Sequence, residues 1–413
     1  MTIGTLFRYL VGNRQAILEI SRCPSAIGLG LLFVISAGLA REYDGEDLLA
    51  EPWYILIPVA ASLATSFVLF VILFAAPLIH RLPRPRFLAG YRSFLGLYWM
   101  TAPLAWLYAV PYERFMSAPK AVEANMWTLA LVAAWRVVLM IRVATVLMGY
   151  QMFAALFLVM CFADCVVLTA LQLIPRPIVS IMGGARMTES DQVIYNITSL
   201  ICFFGWLTLP LWVICTLVTL TVARPDWQQA SAGAETMPHP SRPLWTFGVL
   251  SIAIWALVLP FTQPEQQLRR TVEQALYQGR LKDGLDVMLA HDLHDFPPHW
   301  NPPPRIGYAN MRPSLPDIVD LIDERSESWP RAVYADKVRL VLSYRNPLFS
   351  GSDHDRYRLL LQAKRLGINM DADEWALEDL SHSMSSATGL TAEERANAKV
   401  IIDSWLENVR KRK

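Results

Sequence analysis

The feature that most constrains this chain is a succession of apolar runs, each long enough to cross a bilayer and nearly free of charge. About 20 helical residues cover the roughly 30 Å of a hydrocarbon core. Lipid offers nothing to hydrogen-bond a peptide group, so such runs must close their own bonds as helices. Seven are read, over 23–40, 53–79, 93–111, 124–144, 150–174, 197–223 and 244–261. Pro103 is expected to kink the third, because it has no amide to donate. The fold class expected is all-α, a polytopic transmembrane helical bundle with a C-terminal extramembrane helical domain.

Composition places the end of the bundle. Residues up to Phe261 hold 16 Lys plus Arg and 13 Asp plus Glu, whereas the last 152 residues hold 21 and 23. That jump in charge density marks the passage from a lipid-solvated to a water-solvated segment. Residues 1–22 read as an interfacial amphipathic helix lying along the membrane surface, with Leu6, Tyr9, Leu10, Ile17 and Ile20 set against Arg8, Arg14 and Glu19. Residues 262–313 read as a stalk helix followed by a connector stiffened by Pro297, Pro298, Pro302, Pro303, Pro304 and Pro313. Residues 314–413 carry helical-period apolar stripes, and Thr391 with Glu394 has the spacing of a capping box. All five cysteines fall in or beside the apolar runs, so no disulfide can staple the C-terminal domain.

Basic residues are expected to fix the topology. Ten arginines, among them Arg22, Arg81, Arg84, Arg86 and Arg92, fall on one side of a seven-span arrangement, against five Lys and Arg on the other. The N-terminus is therefore expected to be cytoplasmic and the C-terminal domain non-cytoplasmic. A formal charge of +1, with no dense basic face interleaved with aromatics, speaks against nucleic acid as a partner. The partners expected are the bilayer and a protein bound by the C-terminal domain.

Ionisable side chains within spans are the first candidates for chemistry, because burying them in hydrocarbon is expensive. Arg136 and Asp164 fall in the fourth and fifth spans. At about 1.5 Å per residue their depths differ by about 9 Å, which arginine can largely bridge. A substrate or proton site competes there with a structural ion pair and with snorkelling of Arg136 to the interface. Cys161, Asp164 and Cys165 share a helical face, a weak pattern for a soft metal against the plainer reading of small packing residues. Glu42, Asp44, Glu46 and Asp47 form an acidic loop that could hold a divalent cation, though without the spacing of a calcium loop; the plainer reading has Asp44 capping a helix with Asp47 in its first turn. His291, His294 and His299 suggest zinc only loosely, since histidine at a helix C-terminus is favoured by the dipole. Gly183 and Gly184 lie in a loop that could dip into the bilayer.

No HExxH, Walker A, GxSxG or Rossmann fingerprint is present. No cofactor is expected. The function expected is that of a non-enzymatic anchor or assembly protein with a C-terminal helical interaction module. The alternatives are a transporter or channel using Arg136 and Asp164, and a membrane enzyme with a metal site.

Overall fold

The computed structural model describes residues 1–173, 189–227, 238–304, 313–322, 328–343, 352–368, 370 and 374–412. Among them every regular element is helical. The chain divides into a first unit of Met1–Pro175 and Val193–Pro264 and a second built on Glu265–Lys413.

In the first unit six helices are long and apolar enough to cross a membrane, and a seventh crossing arises if a pair bent by 107° counts as one. The long ones are α4 (Ile57–Ile79), α5 (Phe87–Trp99) with a 3-10 continuation over Ala102–Ala109, α6 (Ala118–Leu147), α7 (Met152–Leu173), α8 (Glu189–Val222) and α9 (Arg242–Tyr277). The bent pair is α2 (Arg14–Ser21) and α3 (Ala26–Glu42). Their outward faces are apolar. Along α8, Phe203, Trp206, Leu207, Ile214 and Val222 are all more than half exposed, and only 11% of its most apolar stretch is covered by protein. A face of that kind is stable against acyl chains and not against water. The protein is a multi-pass membrane protein.

Two end faces organise the bundle. At the first, Ser21 and Arg22 ahead of α3, the segment Arg84–Arg86 after α4, Leu147 at the end of α6 and Trp227 after α8 line one cavity. We call this the arginine face. At the second, the acidic face, the Tyr43 hydroxyl donates to the Ala109 carbonyl at 3.0 Å, and Thr262 of α9 donates to the Tyr43 carbonyl at 2.5 Å. The chain thus runs from one face to the other in α3, back in α4, and onward in each later helix to α9. Hydrogen bonds from Thr216 to the Phe157 carbonyl and from Thr208 to Asp164 set α7 and α8 antiparallel. α3 has 17 residues, fewer than its companions, yet it makes the same traverse.

The N-terminal segment departs from the expected single surface helix. It breaks at Gly12, whose φ of +78° suits glycine, into α1 (Ile3–Leu10) and α2, and Asn13 caps α2 through the Ala16 amide. The apolar stripe read from the sequence is covered by protein instead of lying on the membrane surface: Leu6, Tyr9, Ile17 and Ile20 are at most 1% exposed. Polar bonds fix it there. Tyr9 donates to the Leu97 carbonyl at 2.6 Å, Trp135 to the Leu10 carbonyl at 2.8 Å, and Arg142 to the Gly12 carbonyl at 3.1 Å. Pro103 also does more than kink the third span. The α-helix ends at Trp99 and the chain continues to Ala109 in the tighter 3-10 form.

In the second unit, α9 continues to Tyr277 and α10 spans Leu281–Ala290. Beyond the connector come α11 (Leu315–Asp320), α12 (Trp329–Ser343), α13 (Asp353–Arg365), α14 (Glu374–Ser385) and α15 (Ala392–Arg412). These helices share a core that includes Leu276, Phe296, Ile318, Tyr334, Leu360, Leu377 and Ile402. The connector is welded to that core by one buried cation. Lys337, 5% exposed, donates to the Pro302 carbonyl at 2.6 Å, to the Pro304 carbonyl at 2.9 Å and to the Asn301 side chain, while Tyr334 donates to the Pro303 carbonyl. Prolines have no amide to donate, so their carbonyls need donors from elsewhere, and Lys337 supplies three. At the other end the capping box of α15 is formed, with Thr391 and Glu394 bonding reciprocally.

Two outcomes follow from this packing. Gly149, at φ +71°, sits where the Asp226 carbonyl fills the space a Cβ would need. Gly149→Ala is expected to destabilise the bundle by about 2–4 kcal/mol, read as a lower thermal midpoint in detergent. Lys337→Met should cost the second unit about 2–4 kcal/mol through its orphaned acceptors; an unchanged midpoint for proteolysis of the C-terminal region would contradict the role given to Lys337.

Candidate functional site

The two ionisable groups of the spans do not meet. Among the described residues no ion pair joins Arg136 to Asp164. Arg136, half-buried on α6, lies with its guanidinium 5.2 Å from the ring centroid of Tyr98, and the Tyr98 hydroxyl bonds Thr65 of α4 at 3.1 Å. A cation over an aromatic face gains about 0.5–2 kcal/mol and places its charge where hydrocarbon would otherwise be. Tyr9 and Tyr108 also feel the Arg136 charge. Asp164, half-buried on α7, accepts from the Thr208 hydroxyl of α8 at 2.8 Å, and that hydroxyl also bonds the Phe204 carbonyl of its own helix. Cys161 and Cys165 lie on the Asp164 face of α7 and touch one another. No group of three or more His, Cys, Asp or Glu side chains is arranged to hold a metal ion among the described residues.

The acidic loop is a structural corner. Asp47, only 3% exposed, accepts from the Ala50 amide at 3.2 Å, so it caps a turn of the loop itself. Asp44 does not cap α4, whose first turn opens instead on Pro52 in 3-10 geometry. Gln263 of α9 is the fastener: its amide donates to the Tyr43 and Glu46 carbonyls and its oxygen accepts from the Leu49 amide. The ring of Tyr43 packs 5.3 Å from that of Trp255. Asp44 is half-buried, and burial followed by repulsion from Glu113 pushes its carboxyl above the ordinary range, against the opposing pull of Tyr43 and Arg114.

One buried hub had no signal in the sequence. Ser36 of α3, wholly buried, donates to the Ser251 carbonyl of α9 at 3.1 Å and accepts from the indoles of Trp106 at 3.1 Å and Trp255 at 3.2 Å. A serine in an apolar run reads as filler until its partners on distant helices are placed.

The histidines at the end of α10 are surface groups. His291 and His294 face Asp295 at 3.6 and 3.4 Å, and the His291 carbonyl accepts from Trp329. Phe296, beside them, stacks on Trp300 at 4.5 Å and makes this corner part of the second unit's core. His299 adopts a φ of +59° after two prolines. The glycines 183 and 184 lie outside the described residues.

The strongest concentration of one charge is at the arginine face. Arg22, Arg84, Arg86 and Arg92 line adjoining cavities of about 460 and 210 Å³ in which no carboxylate takes part. A third cavity, of about 710 Å³, shares Arg84, Pro85 and Arg86 with the first and is otherwise walled by apolar side chains such as Phe74, Leu78 and Phe87. Arg84 is braced: its guanidinium donates to the Leu82 carbonyl at 3.2 Å and lies 5.9 Å from the Phe74 ring centroid.

No family model matches the chain, and no curated protein or solved structure is similar enough to match.

The buried Asp44 generates a pH dependence. A carboxyl whose folded pKa is raised contributes stability that is fully present below its unfolded value, near 4, and is lost as pH rises through the folded value. Asp44→Asn cannot ionise, so its thermal midpoint should exceed that of the unaltered protein at about pH 8 and converge with it near about pH 4. Parallel curves across that range would contradict the burial assigned to Asp44.

Proposed function

We propose that this chain is a membrane-embedded assembly protein whose C-terminal helical unit takes a protein partner. One observation carries the reading: the intramembrane polar groups are engaged in joining helices. Asp164 is bonded to Thr208, Ser36 ties α3 to α9 and Trp106, and Arg136 rests on Tyr98. The cavities at the arginine face are lined by neither Arg136 nor Asp164. Support from the second unit is its own continuous core together with an exposed Trp375, 72% accessible on α14. Beside it Glu374 and Glu378 pair with Arg410 at 2.6 and 2.9 Å, a polar rim around an aromatic anchor.

The sidedness proposed with it has the N-terminus cytoplasmic and the C-terminal unit across the membrane. It rests on seven traverses and on the arginine excess at the face where α3 begins. A reporter fused after Lys413 that is active only in the cytoplasm would reverse it.

The partner reading is tested in the full chain, in its own membrane, with a photo-crosslinking residue at Glu378. A discrete protein adduct is expected, reduced about ten-fold or more by Trp375→Ala, as for an aromatic anchor of an interface. Absence of any protein adduct, or a yield indifferent to Trp375→Ala, would sink the reading. A transporter built on Asp164 would instead lose flux in Asp164→Asn proteoliposomes. That substitution keeps a hydrogen-bond acceptor for Thr208, so the fold should survive it.

A further inference from the structure

The arginine face is built to hold a lipid. We propose that an anionic phospholipid of the adjoining leaflet binds there, its phosphate among Arg22, Arg84, Arg86 and Arg92 and one acyl chain along the groove of Val71, Phe74, Ala75, Leu78 and Phe87.

Three observations combine in the argument. The first is charge. Four arginines line two adjoining cavities with no carboxylate among the lining residues. Arg86 and Arg92 are exposed, and no ion pair engages either one among the described residues. The nearest acidic residue along α2, Glu19, is occupied by the Thr5 hydroxyl at 3.2 Å and by the Met1 amine at 2.8 Å. Clustered cations without counter-ions repel one another, so an anion there relieves a cost as well as gaining contacts. Guanidinium is the side chain best matched to phosphate oxygens, which it can meet with two donors at once.

The second is shape. The cationic cavity, about 460 Å³, and the apolar cavity, about 710 Å³, meet at Arg84, Pro85 and Arg86. A free phosphate would use only the first. A molecule with an anionic head and an oily tail uses both, and the junction is where its glycerol would sit. Arg84 stands at that junction, held by backbone carbonyls and by Phe74, so little side-chain freedom is lost when it takes a phosphate oxygen.

The third is position. The cavities open at the end of the bundle where α4 leaves and α5 enters, the level of lipid headgroups. Basic pockets between spanning helices at that level suit anionic headgroups, and each arginine near such a surface contributes about a five-fold gain in affinity. The start of α5 adds to this. Its first turn has neither a side-chain cap nor an acidic residue, leaving the amides there without a partner of that kind.

The test uses the purified full chain in a neutral detergent and native mass spectrometry, with dioleoyl phosphatidylglycerol, dioleoyl phosphatidylcholine, dihexanoyl phosphatidylglycerol and inorganic phosphate as separate probes. One retained molecule of the long-chain anionic lipid is expected, with at least ten-fold weaker retention of the zwitterionic and short-chain lipids. The double variant Arg86→Gln/Arg92→Gln should lower the affinity for the long-chain anionic lipid about 25-fold, about five-fold per arginine removed. Both side chains are exposed, so the variant should fold. Arg224→Gln, which removes a charge outside the cavities, should leave the affinity within about two-fold. Leu78→Trp, which fills the groove, should abolish the preference for long chains and leave headgroup selectivity intact. Equal retention of phosphatidylcholine, saturation by inorganic phosphate alone, or an unaltered affinity in the double variant would each overturn the proposal.

Discussion

A peptide group without a partner in hydrocarbon costs several kcal/mol, and most of this structure can be derived from avoiding that cost. Every long apolar run becomes a helix because nothing else closes its backbone bonds. What the constraint leaves open is how the helices recognise one another, since apolar faces gain little by exchanging lipid for protein. The answer here is a small set of polar bonds between helices distant in sequence. Ser36 gathers two tryptophan indoles and a carbonyl of α9 at one point. Gln263 crosses from α9 to hold three backbone groups of the loop after α3. Tyr9 and Tyr150 each bury a ring and bond a carbonyl on another helix. Such bonds are directional where apolar contact is not, and they therefore set register.

The same reasoning explains what could be read from the chain before its structure. Apolar length is a local property, so the spans and the charged C-terminal helices are legible from composition and periodicity alone. The fate of the first 22 residues is not local. An amphipathic stripe says only that one face avoids water, and a bilayer surface and a groove of protein satisfy it equally well. What decides is the complement: the free carbonyl of Leu97 where α5 gives way at Pro103, and the indole and guanidinium of Trp135 and Arg142 on α6. None of those has any sequence proximity to Tyr9.

Candidate sites divide along the same line. That Arg136 and Asp164 are costly in a span is readable from one sequence, but the identity of their partners is not. Each is matched to a neutral group, Tyr98 and Thr208, neither of which stands out in an apolar run. The acidic loop is legible as charge and illegible as architecture, because its order comes from Gln263, more than 200 residues away. Arginine excess on one face was likewise visible, whereas the convergence of Arg22 with Arg84, Arg86 and Arg92 around shared cavities needed the fold.

The two ends of the bundle differ in a way that bears on how it is fixed in the membrane. At the acidic face the loops are closed by their own hydrogen bonds, and carboxylates such as Asp44 are partly withdrawn from solvent. At the arginine face the cavities stay open and their charges stay without acidic counterparts in the lining. A bundle finished by protein contacts at one end and left electrostatically incomplete at the other has a built-in polarity. Anionic headgroups can complete only the second end. Insertion in the reverse sense would therefore place a solvent-avoiding loop where the headgroups are and leave the arginines facing a surface with less negative charge. The arginines that bias topology and those that line the cavities are the same residues, so orientation and lipid contact draw on one interaction.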